Sequence, residues 1–421
     1  VKKLLITAAL CAIAPHASFG DILTLQAFGF AGGQVVRYDE LTGAQVPGWS
    51  FNPQGVNPSV GQLSGLETHN GVGYVSSLNT GQVLQFDLAS GAPIGSGVFA
   101  TLPQEPDDPR LSEDPPRGPE PSALRVGPDG LLYVADGFGT SILRYNLQTG
   151  ALVDRVVDGL AGVGGIGFSS TDALLSTSNT LGSGLNTIYT GGGDPPSVLT
   201  PGAATNLYGP NSLLVNADDS FLVTDLLSNY IFRFGADGSP QGPFAEIEYP
   251  SDVDPMNPPI GASFSSNFPS DMRRDAEGNV LVVNLGISSV VQGAAKNYGS
   301  LLRYAPDGTL IERLADSLFA PSSIALVDGL TGTPGDFNRD GLVDAGDYAM
   351  WTAGLGRQVT PGSNADGNFD GVIDAADYTV WRDNLPAPLD ASAASVPEPA
   401  SEVLALAALL AGVGYRTRRG C

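Results

Sequence analysis

The sequence predicts an all-β fold closed into a ring of six four-stranded blades, followed by a small α-helical unit built around two acidic loops. Three observations carry this. The middle of the chain repeats one pattern of short apolar strands and Gly turns, and two twelve-residue loops of the same spacing follow it. The composition, with 55 Gly and 32 Pro among 421 residues and only 15% charged residues, is that of a turn-rich β-protein.

The repeat is plainest in residues 121–136 followed by 142–150, in 210–225 followed by 231–234, and in 269–284 followed by 301–304. Each copy reads as an apolar strand opening on Pro, a tight turn, a second apolar strand, and a third that ends in an aromatic residue. That aromatic recurs as Tyr38, Phe86, Tyr145, Tyr189, Phe234 and Tyr304, which counts six blades of a β-propeller, Tyr189 marking the most degenerate copy. The first blade reads as split. Residues 21–47 supply its outer strands and 320–326 its innermost one, so the ends of the domain pair and no sheet edge is left open. Residues 21–330 are similar to NHL-type and gluconolactonase-like six-bladed propellers.

The acidic loops are DFNRDGLVDAGD, residues 336–347, and DGNFDGVIDAAD, residues 366–377, repeating at an interval of 30 residues. Calcium takes about six to eight oxygen ligands, and a twelve-residue loop points positions 1, 3, 5, 7, 9 and 12 at one place when position 6 turns sharply. In the first loop those positions are Asp336, Asn338, Asp340, the Leu342 carbonyl, Asp344 and Asp347. In the second they are Asp366, Asn368, Asp370, the Val372 carbonyl, Asp374 and Asp377, with Gly341 and Gly371 at the turns. So many carboxylates crowded in one loop repel one another unless a cation lies between them, and two bound calcium ions are expected. Each loop runs into a short helix carrying Tyr348 and Trp351, or Tyr378 and Trp381, on one face.

Paired Asp-ended loops, each with one following helix, resemble the type I dockerin over residues 333–386. The resemblance implies a calcium-folded adaptor that docks to a protein partner, a cohesin-like one or another matrix protein. In dockerins of cellulase complexes, loop positions 10 and 11 help choose the cohesin. Here they are Ala345-Gly346 and Ala375-Ala376, without hydroxyls.

The two ends read as addresses. Residues 1–20 show Lys2 and Lys3, an apolar run over 4–14 and small residues before Asp21, the layout of a cleaved signal peptide, with an apolar run too short to span a membrane. After a linker at 387–395, the segment 396–421 carries Pro397, Glu398 and Pro399, an apolar stretch over 403–413, and Arg416, Arg418 and Arg419. This resembles the PEP-CTERM sorting signal of Gram-negative and related bacteria. The resemblance implies transient membrane anchoring through the tail, cutting by an exosortase-type peptidase, and delivery to the cell envelope, cell surface or extracellular matrix.

Composition excludes several functions. A net charge of -24 opposes binding to a polyphosphate backbone, so no nucleic-acid partner is expected. The two cysteines, Cys11 and Cys421, lie outside the folded domains, which leaves calcium to staple the small one. The two histidines, His16 and His69, are too few for a multi-histidine zinc site, and His69 reads as a turn residue.

Three stretches exceed the repeat, at 103–119, 249–267 and 285–299, and propeller topology sends all three to one mouth of the channel. The first two would make it acidic through Glu105, Asp107, Asp108, Glu113, Asp114, Asp252 and Asp254. That mouth is where a carbohydrate or small-molecule ligand would sit, were one bound. Gluconolactonase-like propellers hold a divalent metal at the channel top, and Gly209-Pro210-Asn211 with Asp225 resembles one of their ligand strands, which makes Asn211 the candidate propeller ligand. The equivalent positions elsewhere are Ser122, Ser270 and Ser322, and Asp136, Asp225 and Asn284 read as caps of turn amides. The sequence thus favours an exported binding or scaffolding propeller. The alternatives are a metal-dependent lactonase- or lyase-like hydrolase acting around Asn211, or an accessory component of extracellular polysaccharide degradation.

Overall fold

The computed structural model describes residues 21–26, 33–40, 42–104, 118–137, 140–160, 162–178, 187–191, 197–201, 207–226, 228–247, 268–275, 277–286, 289–291, 294–296, 298–327, 335–337, 343–358, 365–367 and 372–385. The signal-peptide and sorting-signal segments, and the acidic residues of the two longest insertions, lie outside them. The chain divides into a propeller unit and a second compact unit that carries two short helices.

In chain order the strands are β1 (Asp21–Gln26), β2 (Gln34–Asp39) and β3 (Gln45–Phe51) in blade 1, then β4 (Leu63–His69), β5 (Val72–Ser77), β6 (Gln82–Asp87) and β7 (Pro93–Thr101) in blade 2. Blade 3 holds β8 (Pro121–Val126), β9 (Leu131–Asp136), β10 (Ile142–Asn146) and β11 (Leu152–Val157). Blade 4 holds β12 (Val163–Phe168), β13 (Leu174–Ser178), β14 (Thr187–Thr190) and β15 (Ser197–Thr200). Blade 5 holds β16 (Pro210–Val215), β17 (Phe221–Asp225), β18 (Tyr230–Phe234) and β19 (Pro240–Glu246). Blade 6 holds β20 (Pro269–Arg274), β21 (Val280–Asn284), the inserted hairpin β22 (Ser289–Val291) with β23 (Ala294–Lys296), then β24 (Gly299–Tyr304) and β25 (Leu310–Leu318). The last strand, β26 (Pro321–Leu326), returns to pair antiparallel with β1, Thr24 opposite Ile324, and completes blade 1. Six four-stranded sheets result, with the split first blade that the sequence predicts. The outer strand of that blade runs on to Phe51 rather than stopping near residue 47, because Trp49 and Phe51 both turn into the core.

Apolar side chains fill the seams between blades. Leu23, Leu25 and Phe51 of blade 1 meet Leu66, Val75 and Phe86 of blade 2, with the Phe51 and Phe86 rings stacked 4.5 Å apart. The third-strand aromatics are the centres of such clusters, Phe86, Tyr145 and Phe234 being at most 1% exposed. His69, which the sequence reads as a turn residue, is instead the last residue of β4, paired with Val72 across the two-residue Asn70-Gly71 turn. Both turn residues have positive φ, the geometry that matches strand twist in a hairpin.

Turns between third and fourth strands share a second device. The side chains of Asp87 and Asn146 accept hydrogen bonds from the backbone amides of Ser90 and Thr149, at 2.8 and 3.0 Å, and a glycine follows. Gly91 and Gly150 have φ of +71° and +67°. A Cβ there would lie 2.8 Å from Ser50 O and 2.2 Å from Phe99 O, in the outer strand of the preceding blade. Gly150→Ala therefore combines a left-handed backbone with a clash, and thermal unfolding of the propeller should show a loss of about 1–3 kcal/mol. An unchanged melting temperature would contradict the close approach.

Polar side chains around the channel join the blades in one rotational sense. Ser76 Oγ donates to Ser122 O at 2.8 Å, Ser122 Oγ to Val163 O at 3.1 Å, and Thr177 Oγ1 to Asn211 O at 2.9 Å. Asn211 Nδ2 then donates to Ser270 O at 2.6 Å, and Ser270 Oγ to Pro321 O at 3.0 Å. This chain of bonds runs from blade 2 through blades 3 to 6 and into blade 1.

In the second unit, α1 (Ala345–Gly354) and α2 (Ala375–Asp383) each begin at the end of an acidic loop. Phe337, Ala365 and Ile373 form its small buried core, with Met350, Trp351 and Trp381 packed against it.

Candidate calcium loops and the propeller channel

The helices of the second unit start where they do because Asp344 and Asp374 cap them. Asp344 Oδ1 accepts from Gly346 N at 2.6 Å and Asp374 Oδ1 from Ala376 N at 2.7 Å. In return, Asp347 Oδ2 accepts from Asp344 N at 2.8 Å and Asp377 Oδ2 from Asp374 N at 2.7 Å, so each loop closes a capping box between positions 9 and 12. Asp377 Oδ1 also accepts from Gly367 N at 2.8 Å, which draws the beginning of the second loop against its end. Asp336 and Asp347, and Asp366 and Asp377, are all buried, at 5%, 0%, 3% and 0% exposure.

These observations fit a hard divalent cation. Carboxylates at positions 1 and 12 are withdrawn from water in both loops, helix N-termini stabilise the negative charge beside them, and residues 333–386 contain no His or Cys that would favour a softer metal. Of the sequence-predicted ligands, Asp336, Asp344, Asp347, Asp366, Val372, Asp374 and Asp377 stand among the described residues. Asn338, Asp340, Leu342, Asn368 and Asp370 lie outside them.

Between the helices, Tyr348, Trp351, Tyr378 and Trp381 form one ring cluster, with centroid separations from 5.0 Å for Tyr348 and Trp381 to 6.2 Å for Tyr348 and Tyr378. Each Trp also reaches the opposite loop. Trp351 Nε1 donates to Asp374 O and Trp381 Nε1 to Asp344 O, both at 2.7 Å.

In the propeller, the second residues of the six inner strands, Ser64, Ser122, Gly164, Asn211, Ser270 and Ser322, line a channel cavity of about 60 Å³. That is room for a few waters, against several hundred cubic ångströms for a typical small-molecule site. Deeper in stand four charged side chains. Glu67 Oε2 lies 3.3 Å from Arg125 Nη1 and 3.4 Å from Arg273 Nη2, and Arg273 Nη1 lies 2.9 Å from Asp271 Oδ1. Asp271 further accepts from Ser212 Oγ and Ser323 Oγ, both at 2.6 Å, and from Ile324 N at 3.1 Å. Burial alone would raise the Asp271 carboxyl, but Arg273, Arg125 and the two hydroxyls outweigh it and hold the pKa below the usual carboxylate range. Burial, and then the like charge of Arg273, lower Arg125 from its ordinary value, with Glu67 and Asp271 opposing them.

Asp225 and Asp136 serve as the turn caps expected of them: Asp225 accepts from Gly209 N and Tyr208 N at 2.6 and 3.0 Å, and Asp136 from Glu120 N at 3.1 Å. Among the described residues, one group of three carboxylates is close enough to share a cation: Glu40, Asp275 and Glu277. It is away from Asn211, and Arg303 stands against it, 3.4 Å from Glu40 and 3.3 Å from Asp275.

Residues 334–385 match the family model of the dockerin type I domain. Residues 395–419 match the PEP-CTERM protein-sorting motif. The chain is an exported propeller bearing a calcium-binding dockerin module. The dockerin and the sorting signal together mark it as a cell-surface or extracellular protein. The propeller is similar to a chain of a nidogen/laminin complex at 12% identity, covering 73% of this chain and 98% of that one with a TM-score of 0.50, which shows the fold. Two further similar structures are a protein of unknown function from Bacteroides caccae and the virginiamycin B lyase of Staphylococcus aureus. The first has 11% identity, covers 74% of this chain and 100% of that chain, and has a TM-score of 0.49. The second has 14% identity, covers 71% and 85%, and has a TM-score of 0.41. None of the curated proteins matches the chain.

The channel charges Glu67, Arg125, Asp271 and Arg273 are not among the site residues expected from the sequence. For the last two the signal is the sequence of their inner strand itself, PSDMRR, where Asp271 and Arg273 stand two residues apart and so lie on one face. Sequence reasoning also missed the exchange of Trp hydrogen bonds between the dockerin loops, whose signal is a Trp seven residues after each position-9 Asp.

Proposed function

We propose that this protein is a binding or scaffolding propeller, held at the cell surface or in the matrix and joined to a cohesin-type partner by a calcium-loaded dockerin module. The observation that favours binding over catalysis is the role of Asn211. Its amide donates to the next blade as the Ser122 and Ser270 hydroxyls do from the same strand position, so it belongs to a series that ties blades together. The channel charges likewise bond to one another, to the backbone and to the Ser212 and Ser323 hydroxyls.

In the dockerin, one calcium ion in each loop would be held by Asp336, Asn338, Asp340, the Leu342 carbonyl, Asp344 and Asp347, and by Asp366, Asn368, Asp370, the Val372 carbonyl, Asp374 and Asp377. The ion supplies the positive charge that lets these carboxylates converge. The chain supplies the rest, with Asp347 and Asp377 each tying loop closure to the first turn of a helix. The working domain map is a signal peptide at 1–20, the propeller at 21–330, the dockerin at 333–386, a linker at 387–395 and the sorting signal at 396–421, with exosortase cutting near Pro397, Glu398 and Pro399.

The test is binding of the purified protein to immobilised type I cohesin, with and without calcium. Binding that is lost on chelation and returns with calcium is expected. Binding that ignores chelation, or none in saturating calcium, would overturn the reading.

A further inference from the structure

We propose that Trp351 and Trp381 couple the two calcium loops, so that loading one raises the calcium affinity of the other. The inference rests on the calcium reading above and goes beyond it.

The path closes on itself. In the first loop the Asp347 carboxylate holds the Asp344 amide, and the Asp344 carbonyl accepts the indole N–H of Trp381, on the opposite helix. Trp381 lies four residues after Asp377, on the same face of α2. Asp377 in turn holds the Asp374 amide, and the Asp374 carbonyl accepts from Trp351, four residues after Asp347 on α1. Every member is therefore an expected ligand of one loop or an indole placed by the other loop's helix.

Two contacts reinforce the path. Gly335, just before the first ligand, lies against α2 so closely that an added Cβ would come 2.5 Å from Trp381 Cα. Ile373, in the second loop, exchanges backbone hydrogen bonds with the residues after α1: Gly356 N donates to Ile373 O at 2.8 Å and Ile373 N to Arg357 O at 3.0 Å. Ordering either loop thus fixes groups that the other needs, and the entropy of ordering is lost largely once for both ions. Because the structure joins the loops through hydrogen bonds and not through the rings alone, Phe at the two Trp positions separates coupling from packing.

The experiment is calorimetric titration of calcium into the chelator-stripped full-length chain. In the otherwise native protein, Asp377→Ala is expected to remove uptake by the second loop and to weaken the first by about tenfold. In the Trp351→Phe/Trp381→Phe background, the same substitution should weaken the first loop by no more than about twofold, since the backbone contacts of Ile373 and Gly335 alone remain. Should that double variant fail to fold in saturating calcium, Trp351→Phe and Trp381→Phe singly carry the same comparison. A native chain that takes up no calcium removes the calcium reading itself. Two independent sites, with the first untouched by Asp377→Ala, overturn the coupling and leave the calcium reading standing. Coupling of undiminished strength in the Phe background overturns the role of the indoles.

Discussion

Removing calcium is expected to unfold residues 333–386 and leave the propeller's β-structure standing. Among its described residues the dockerin buries Phe337, Val343, Ala365 and Ile373 as apolar core, too little surface to hold so short a segment by itself. Its remaining order depends on loops that bury the carboxylates of Asp336, Asp347, Asp366 and Asp377. A ligand present at about a thousand times its dissociation constant adds roughly 4 kcal/mol to the folded state, and chelation takes that away. Two of the three tryptophans in the chain, Trp351 and Trp381, stand in the module. Near-ultraviolet circular dichroism and tryptophan fluorescence should therefore collapse on chelation while the far-ultraviolet β signal stays. Loss of both signals together would show that the propeller and the dockerin fold as one unit.

The second large effect is expected at Asp271. This carboxylate is 8% exposed and compensates Arg273 and Arg125 across the channel. Asp271→Asn leaves two guanidinium groups with Glu67 alone, and removing one partner of a buried ion pair costs about 3–5 kcal/mol. The same residue gives the propeller an acid limit. Its folded pKa is lowered, so at intermediate pH the unfolded chain binds more protons. The stability it contributes is full above about pH 4, where an unfolded Asp is ionised, and is lost as pH falls through the folded value. Urea melts from pH 7 down to pH 2 should show this loss in the native protein and a flatter profile in Asp271→Asn. Equal slopes for the two proteins would assign the acid sensitivity to other carboxylates.

The fold was legible because the blades reuse the same devices in sequence: an aromatic in every third strand, a Pro-led inner strand in four of the six blades, and an Asp or Asn ahead of a left-handed Gly in most. The calcium loops were legible because ligand spacing within a loop is local. What escaped notice depends on neighbours distant in sequence. Glu67 and Arg273 meet only because blades 2 and 6 face one channel, and nothing near Asp271 in the chain names Ser212 or Ser323 as its partners. Asn211 shows the same limit from the other side. Its local motif offers a metal ligand through Oδ1, and the bond from its Nδ2 to Ser270 O, which ties two blades, is visible only across blades. Trp351 and Trp381 were placed on the correct helix faces, but their hydrogen bonds to the opposite loops needed the packing of both helices.

The most direct measurement is elemental analysis of purified residues 21–330, which lack the calcium loops, after exhaustive dialysis. A propeller whose channel groups satisfy one another is predicted to retain no stoichiometric metal. One tightly held divalent ion per chain would contradict that account, return Asn211 to the role of a ligand and favour a hydrolase.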